Sequence, residues 1–156
     1  MIELKKIIAY QVFVILMLAF LWAQGPLGNI PPWLQPYQLA IKCILAAALA
    51  GVLYCVRAVY LNYCVHRQWD ERWEVWYYLR PLASAVTGLV AYIFLKASVI
   101  VLEGSQSVGD GLFGYLAFSF IAGYNVDRFL KKMEEVAQSK FGVRPSRTSE
   151  NSAEGD

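Results

Sequence analysis

Reaction chemistry needs nucleophiles, acids or metal ligands brought together, and this 156-residue sequence offers few. Its one histidine, His66, stands beside Arg67; a lone imidazole builds no metal site and, with no nucleophile near it, no catalytic pair. Cys43, Cys55 and Cys64 are twelve and nine residues apart, without the C-x-x-C spacing of zinc or redox sites. They read as small apolar side chains, with Cys64 alternatively a palmitoylation site. Proton-coupled transport places an ionisable acid at membrane depth, and the apolar stretches here have none in their middle, the first offering only Gln11. Phosphate-binding glycine loops, paired carboxylates and Ser/His/Asp arrangements are also missing. The expectation is a protein without catalytic residues, metal or cofactor.

What the chain has in abundance is apolar surface. It is 58% hydrophobic, 15% aromatic and only 17% charged, with a mean hydropathy of +0.41. A soluble domain runs about 45–50% apolar and about 25% charged. The charges are also segregated: residues 7–41 contain no Asp, Glu, Lys or Arg, and similar gaps run 43–56, 81–95 and 111–126. That pattern excludes an ordinary soluble enzyme, a nucleic-acid binder and a disulfide-stapled secreted module. It predicts an all-α polytopic membrane protein in contact with the lipid bilayer.

A helix needs about 20 mostly apolar residues to cross a hydrocarbon core of about 30 Å. Four segments qualify as spans: about 7–23, 39–63, 81–102 and 112–126, together a transmembrane domain over 1–127. The intervening GPLGNIPPWLQPY, with four prolines and two glycines, reads as non-helical. With the N-terminus inside, twelve Lys and Arg residues fall on the cytoplasmic side, and only Lys42 and Lys96 fall toward the outside, where both can snorkel. Both termini are therefore expected in the cytoplasm of a bacterial inner membrane. The first segment, with Lys5 and Lys6 before it, has a signal peptide as its alternative reading, against which the poor small-x-small site at Leu21-Trp22-Ala23 argues.

In HRQWDERWEVWYYLRP, Trp69, Trp73, Trp76 and Arg80 are spaced i, i+4, i+7 and i+11, so they share one helical face. This predicts either an interfacial helix with its tryptophans at headgroup level or a docking surface for a cytosolic partner. Pro81 then opens the third span, in the first turn where its missing N–H costs nothing. Residues 128–142 read as a cytoplasmic amphipathic helix with Arg128, Lys131 and Lys132 on its polar side, ended by Gly142, and 143–156 as a disordered tail.

Small residues recur four apart within the spans: Ala47 and Gly51, Ser84 and Gly88, Ser119 and Gly123. Such faces let helix backbones approach closely in lipid, either within one bundle or between the protomers of a homo-oligomer. Ser84, Thr87, Arg57 and Asn125 either line a wet crevice or bond to backbone. Arg57 either reaches the interface or, in an oligomer, rings a pore mouth.

The stretches YYLRPLASAVTGLVAYIFLKAS and GYLAFSFIAGYNVDRFLKKMEEVAQSKFG combine an Arg-Pro-Leu start, a Ser/Gly-spaced helix and a Phe-x-x-Gly segment with a charged exit. In this they resemble small inner-membrane proteins of bacterial anti-phage systems, specifically retron-type transmembrane effectors partnered with a reverse transcriptase and its RNA–DNA product. The resemblance covers residues 77–142. It implies an antiviral, abortive-infection effector that is held inactive by a cytosolic regulatory protein or ribonucleoprotein and disrupts the membrane when released. No direct nucleic-acid contact by this chain is expected. The competing expectations are a structural or assembly subunit of a membrane complex and a small-molecule carrier working near Arg57 and Thr87.

Overall fold

The computed structural model describes residues 2–24, 31–65, 73–97 and 110–142. All regular structure among them is helical: α1 (Ile2–Gln24), a 3₁₀ turn (Pro32–Tyr37), α2 (Gln38–Val59) running into a π-helical turn (Tyr60–Val65), α3 (Glu74–Lys96), α4 (Asp110–Tyr124) and α5 (Val126–Phe141). The chain forms two compact units that divide between Tyr124 and Asn125. His66, Trp69, residues 98–102 of the third expected span and the 143–156 tail lie outside the described residues.

Three helices are long and apolar enough to cross a membrane: Leu4–Gln24, the continuous Pro32–Val65 segment and Glu74–Lys96. The fourth apolar helix, α4, has 15 residues. At 1.5 Å per residue it is about 22 Å long, short of a hydrocarbon core of about 30 Å. Large apolar side chains point out of the bundle, among them Phe13, Leu16, Phe20, Leu82, Val86 and Phe113. A continuous apolar exterior of that kind suits lipid rather than water.

Three boundaries differ from the sequence expectation, each for a local reason. The proline-rich connection holds a 3₁₀ turn that feeds directly into α2. Its prolines fall at the first positions and at Pro36, and in a turn this short few backbone N–H groups are needed as donors. The third span has no proline start. α3 begins at Glu74 and carries Pro81 inside it, so Trp73, Trp76 and Arg80 belong to the beginning of α3 and not to a separate interfacial helix. At the other end, the fourth apolar helix stops at Tyr124 and not at 126, and Asn125 (φ −114°, ψ 51°) separates α4 from α5.

Within the first unit α2 is the central helix, packed on α3 and α4. The small faces seen in the sequence meet here. A Cβ added to Gly51 would lie 2.6 Å from the Ser84 Cβ, one on Gly88 would lie 2.8 Å from the Cys43 carbonyl oxygen, and one on Gly123 would meet the Ala47 backbone at 2.5–2.6 Å. Ala47 and Ser119 are fully buried. All six residues are therefore used inside the chain, bringing α2, α3 and α4 into backbone-to-backbone contact. α1 lies outside this trio, packing Val14 and Leu18 on Leu45, Ala48 and Val52, and Ile7 beside Cys55 and Tyr77.

The second unit is dominated by α5, an amphipathic helix with Phe129, Met133 and Val136 along one stripe and Arg128, Lys131 and Lys132 exposed. Lys132 Nζ donates to Glu135 Oε2 at 2.8 Å, an ion pair that raises the lysine pKa. Gly142 ends the helix in the left-handed region (φ 64°), with its N–H bonded to the Gln138 carbonyl at 3.0 Å.

Candidate functional site

Polar and aromatic side chains of the first unit converge at the end of the bundle where α1 and α3 begin and α2 and α4 finish. The origin of the cluster is a set of carbonyls without helical partners. Pro81 has no N–H, so the Tyr77 carbonyl four residues earlier lacks its usual intrahelical donor. Gln11 of α1, 2% exposed, donates to it through Nε2 at 2.9 Å, and the Cys55 thiol approaches it at 3.8 Å. Next to it, Tyr10 Oη donates to the Tyr78 carbonyl at 3.3 Å while the two rings pack edge-on at 5.0 Å. α1 is thus tied to α3 through two backbone oxygens, of which the Tyr77 carbonyl is one that a regular helix would not offer.

The end of α4 is held in the same manner. Its last carbonyls have no further turn to donate to them. Ser84 Oγ donates to the Gly123 carbonyl at 2.8 Å, and Arg80 Nη2 donates to the Tyr124 carbonyl at 3.2 Å. A guanidinium here also meets the negative end of the helix dipole. The guanidinium carbon lies 4.6 Å from the Tyr54 ring centroid and 5.2 Å from that of Trp76. Tyr54 in turn packs edge-on against Trp76 and Tyr124, at 5.5 Å and 5.4 Å. Arg57 Nη1 donates to Tyr124 Oη at 2.8 Å, and Asn62, in the π-helical turn, donates through Nδ2 to Tyr77 Oη at 3.1 Å.

This geometry corrects one sequence expectation directly. Arg80 is 4% exposed and faces the bundle interior, where cation–π contacts and a carbonyl use its charge; it is not directed at a partner. Trp76 is half-buried against it, and Trp73 is 57% exposed. The choice between a wet crevice and backbone bonding falls to the backbone for Ser84 and for Thr87, whose Oγ1 donates to the Ala83 carbonyl at 2.8 Å. Arg128, Lys131 and Lys132 are on the second unit, where all three are exposed.

The residues that sequence reasoning passed over are Tyr54, Tyr77 and Tyr124, together with the true role of Gln11. One signal was available: a proline inside an apolar helix frees the carbonyl at i−4, so Pro81 points to Tyr77. Nothing in the sequence indicates which helix answers it. Among the described residues no group of three or more His, Cys, Asp or Glu is placed to hold a metal ion. The cluster is built to bind helices to one another. Comparison of the chain with protein-family profiles, curated proteins and solved structures finds no match.

Proposed function

We propose that the chain is a four-span inner-membrane protein with both termini in the cytoplasm, acting through helix association in the bilayer and not through a reaction. In this reading it is an effector of antiviral, abortive-infection defence that disrupts membrane integrity when cytosolic partners release it. The observation that carries the reading is the unequal attachment of the helices. α2, α3 and α4 meet through glycine, alanine and serine with no slack, whereas α1 is held at one end by side-chain hydrogen bonds from Gln11 and Tyr10 to carbonyls of α3. A membrane-disrupting switch requires a second arrangement of the bundle, and α1, fastened by few polar contacts, is the helix whose release would supply it. The exposed Trp73 and the basic residues of α5 supply the surfaces for a regulator.

A direct test is induction of the gene alone while a potential-sensitive dye is followed. The expected result is loss of membrane potential without the partners and protection with them. Preserved potential and viability, both alone and during phage infection, would sink the effector reading. For topology, a reporter fused after Gly104 is expected to behave as periplasmic and one after Arg72 as cytoplasmic. A structural or assembly subunit is the second reading, favoured by the complete use of the small-residue faces inside the chain. It predicts co-purification with a membrane complex and unchanged potential.

A further inference from the structure

On the side of the bundle away from the Arg80 cluster, α1 and α4 stand apart over α2 and leave a groove of about 550 Å³. Its walls are Ile15, Ala19 and Trp22 of α1, Ala46 and Leu49 of α2, and Ala117 and Phe120 of α4, with hardly any polar surface among them. We propose that this groove holds an acyl chain of one anionic phospholipid whose phosphate is neutralised by Lys42. The proposal rests on the reading of these helices as membrane-spanning.

The size is that of sites which enclose a small ligand, roughly 300–1,000 Å³. An apolar lining offers nothing to water or to a polar segment, whereas a hydrocarbon chain needs no hydrogen bond. The charge argument comes from the spacing on α2. Lys42 lies three, four and seven residues before Leu45, Ala46 and Leu49, so it sits on the groove's own face, one turn beyond its end. Helical side chains lean toward the N-terminus, which carries the half-buried Lys42 away from the membrane centre and toward headgroup level. Trp22 ends the opposite wall at that end, 42% exposed, where an indole favours the headgroup region. An apolar slot, a cation above it and an interfacial tryptophan match a phospholipid from tail to phosphate.

The test uses the full chain purified in a nonionic detergent, delipidated, and titrated with phosphatidylglycerol or phosphatidylcholine of identical chains, with bound lipid counted by native mass spectrometry. One phosphatidylglycerol is expected per chain, bound about fivefold more tightly than phosphatidylcholine, as one lysine near an anionic headgroup gives. Lys42→Gln should abolish the preference and keep chain binding. Ala117→Trp and Ala19→Trp, both at exposed wall positions, should each remove binding of either lipid. Equal affinities in the wild type, a preference that survives Lys42→Gln, binding that survives both tryptophans, or a second copy of the chain in place of lipid would each overturn the proposal. Flotation with phosphatidylglycerol/phosphatidylcholine vesicles separates the two levels: a chain that floats and retains no lipid fails the groove proposal alone, and one that does not float fails the membrane reading as well.

Discussion

At the end of the α1–α4 bundle that holds Arg80, six aromatic side chains, two arginines and a glutamine bind four helices together. At the Lys42 end the described contacts between the same helices are mostly apolar, with the Cys43 thiol 3.8 Å from the Tyr115 carbonyl and the Tyr92 and Tyr115 rings 6.0 Å apart, and α1 and α4 separate around a groove. The difference follows from where backbone oxygens are left over. Pro81 frees one carbonyl of α3, the break at Asn125 leaves those of Gly123 and Tyr124, and each has drawn a side chain from a neighbouring helix. In an apolar solvent an unmet carbonyl is costly, so each such group becomes a point of attachment. At the Lys42 end the described contacts are mostly apolar, and apolar contact gives little preference for helix over lipid. Three of the polar attachments, those of Gln11, Ser84 and Arg80, therefore mark irregularities of the backbone.

Below both ends lies the small-residue contact of α2 with α3 and α4, and breaking it should have the largest effect. Gly123 is the critical position, because a Cβ there meets the Ala47 backbone, which cannot turn aside. Gly123→Ala should lower stability by about 3 kcal/mol or more, at the upper end of overpacking effects. Gly51→Ala should cost less, since its nearest obstacle is the Ser84 side chain. Thermal unfolding in detergent micelles measures both. A smaller loss at Gly123 than at Gly51 would show that α4 can shift along α2.

How much of this was legible in the sequence depends on the scale of the pattern. The apolar segments, the small-residue faces and the Gly142 helix end were readable, because each depends on residues within a few positions of one another. Helix ends were less so. The spacing of Trp73, Trp76 and Arg80 suggested one helical face, yet it could not tell that Arg80 turns inward while Trp73 stays exposed. Burial of Arg80 depends on Tyr54, 26 positions away, and on the Tyr124 carbonyl, 44 away. A charged residue beside tryptophans at a membrane edge has the same local signature whether it meets solvent or a ring. Likewise Gln11 was visible as a lone polar residue in an apolar run, but its partner is a backbone atom, and backbone atoms have no sequence signature beyond the proline that frees them.

The Arg80 end should be the next most sensitive. Arg80→Met removes the donor to the Tyr124 carbonyl and both cation–π contacts, with an expected loss of about 2–3 kcal/mol. Arg80→Lys should recover less than half of it, because a compact ammonium cannot both contact the Tyr54 and Trp76 rings and reach the carbonyl. Full rescue by lysine would mean that charge alone, and not the planar fork, holds the end of α4. The measurement is again unfolding in micelles, with tryptophan fluorescence reporting the environment of Trp76.

The smallest effect is the most discriminating. Gln11→Leu should cost about 0.6 kcal/mol, and no more than about 1.7 kcal/mol, the range found for hydrogen bonds between membrane helices. A loss of that size alone would not distinguish a hydrogen bond from altered packing. Pro81→Ala makes the distinction, because it restores a backbone N–H at the position that normally bonds the Tyr77 carbonyl. With α3 supplying its own donor, Gln11 has nothing left to satisfy. Gln11→Leu should then be close to neutral in the Pro81→Ala background, giving a coupling energy nearly equal to the whole cost of the single substitution. The same cost in both backgrounds would show that Gln11 contributes by packing and that the freed carbonyl is met by Cys55 alone. Near-complete coupling would establish that a proline in one helix is what fastens another to it.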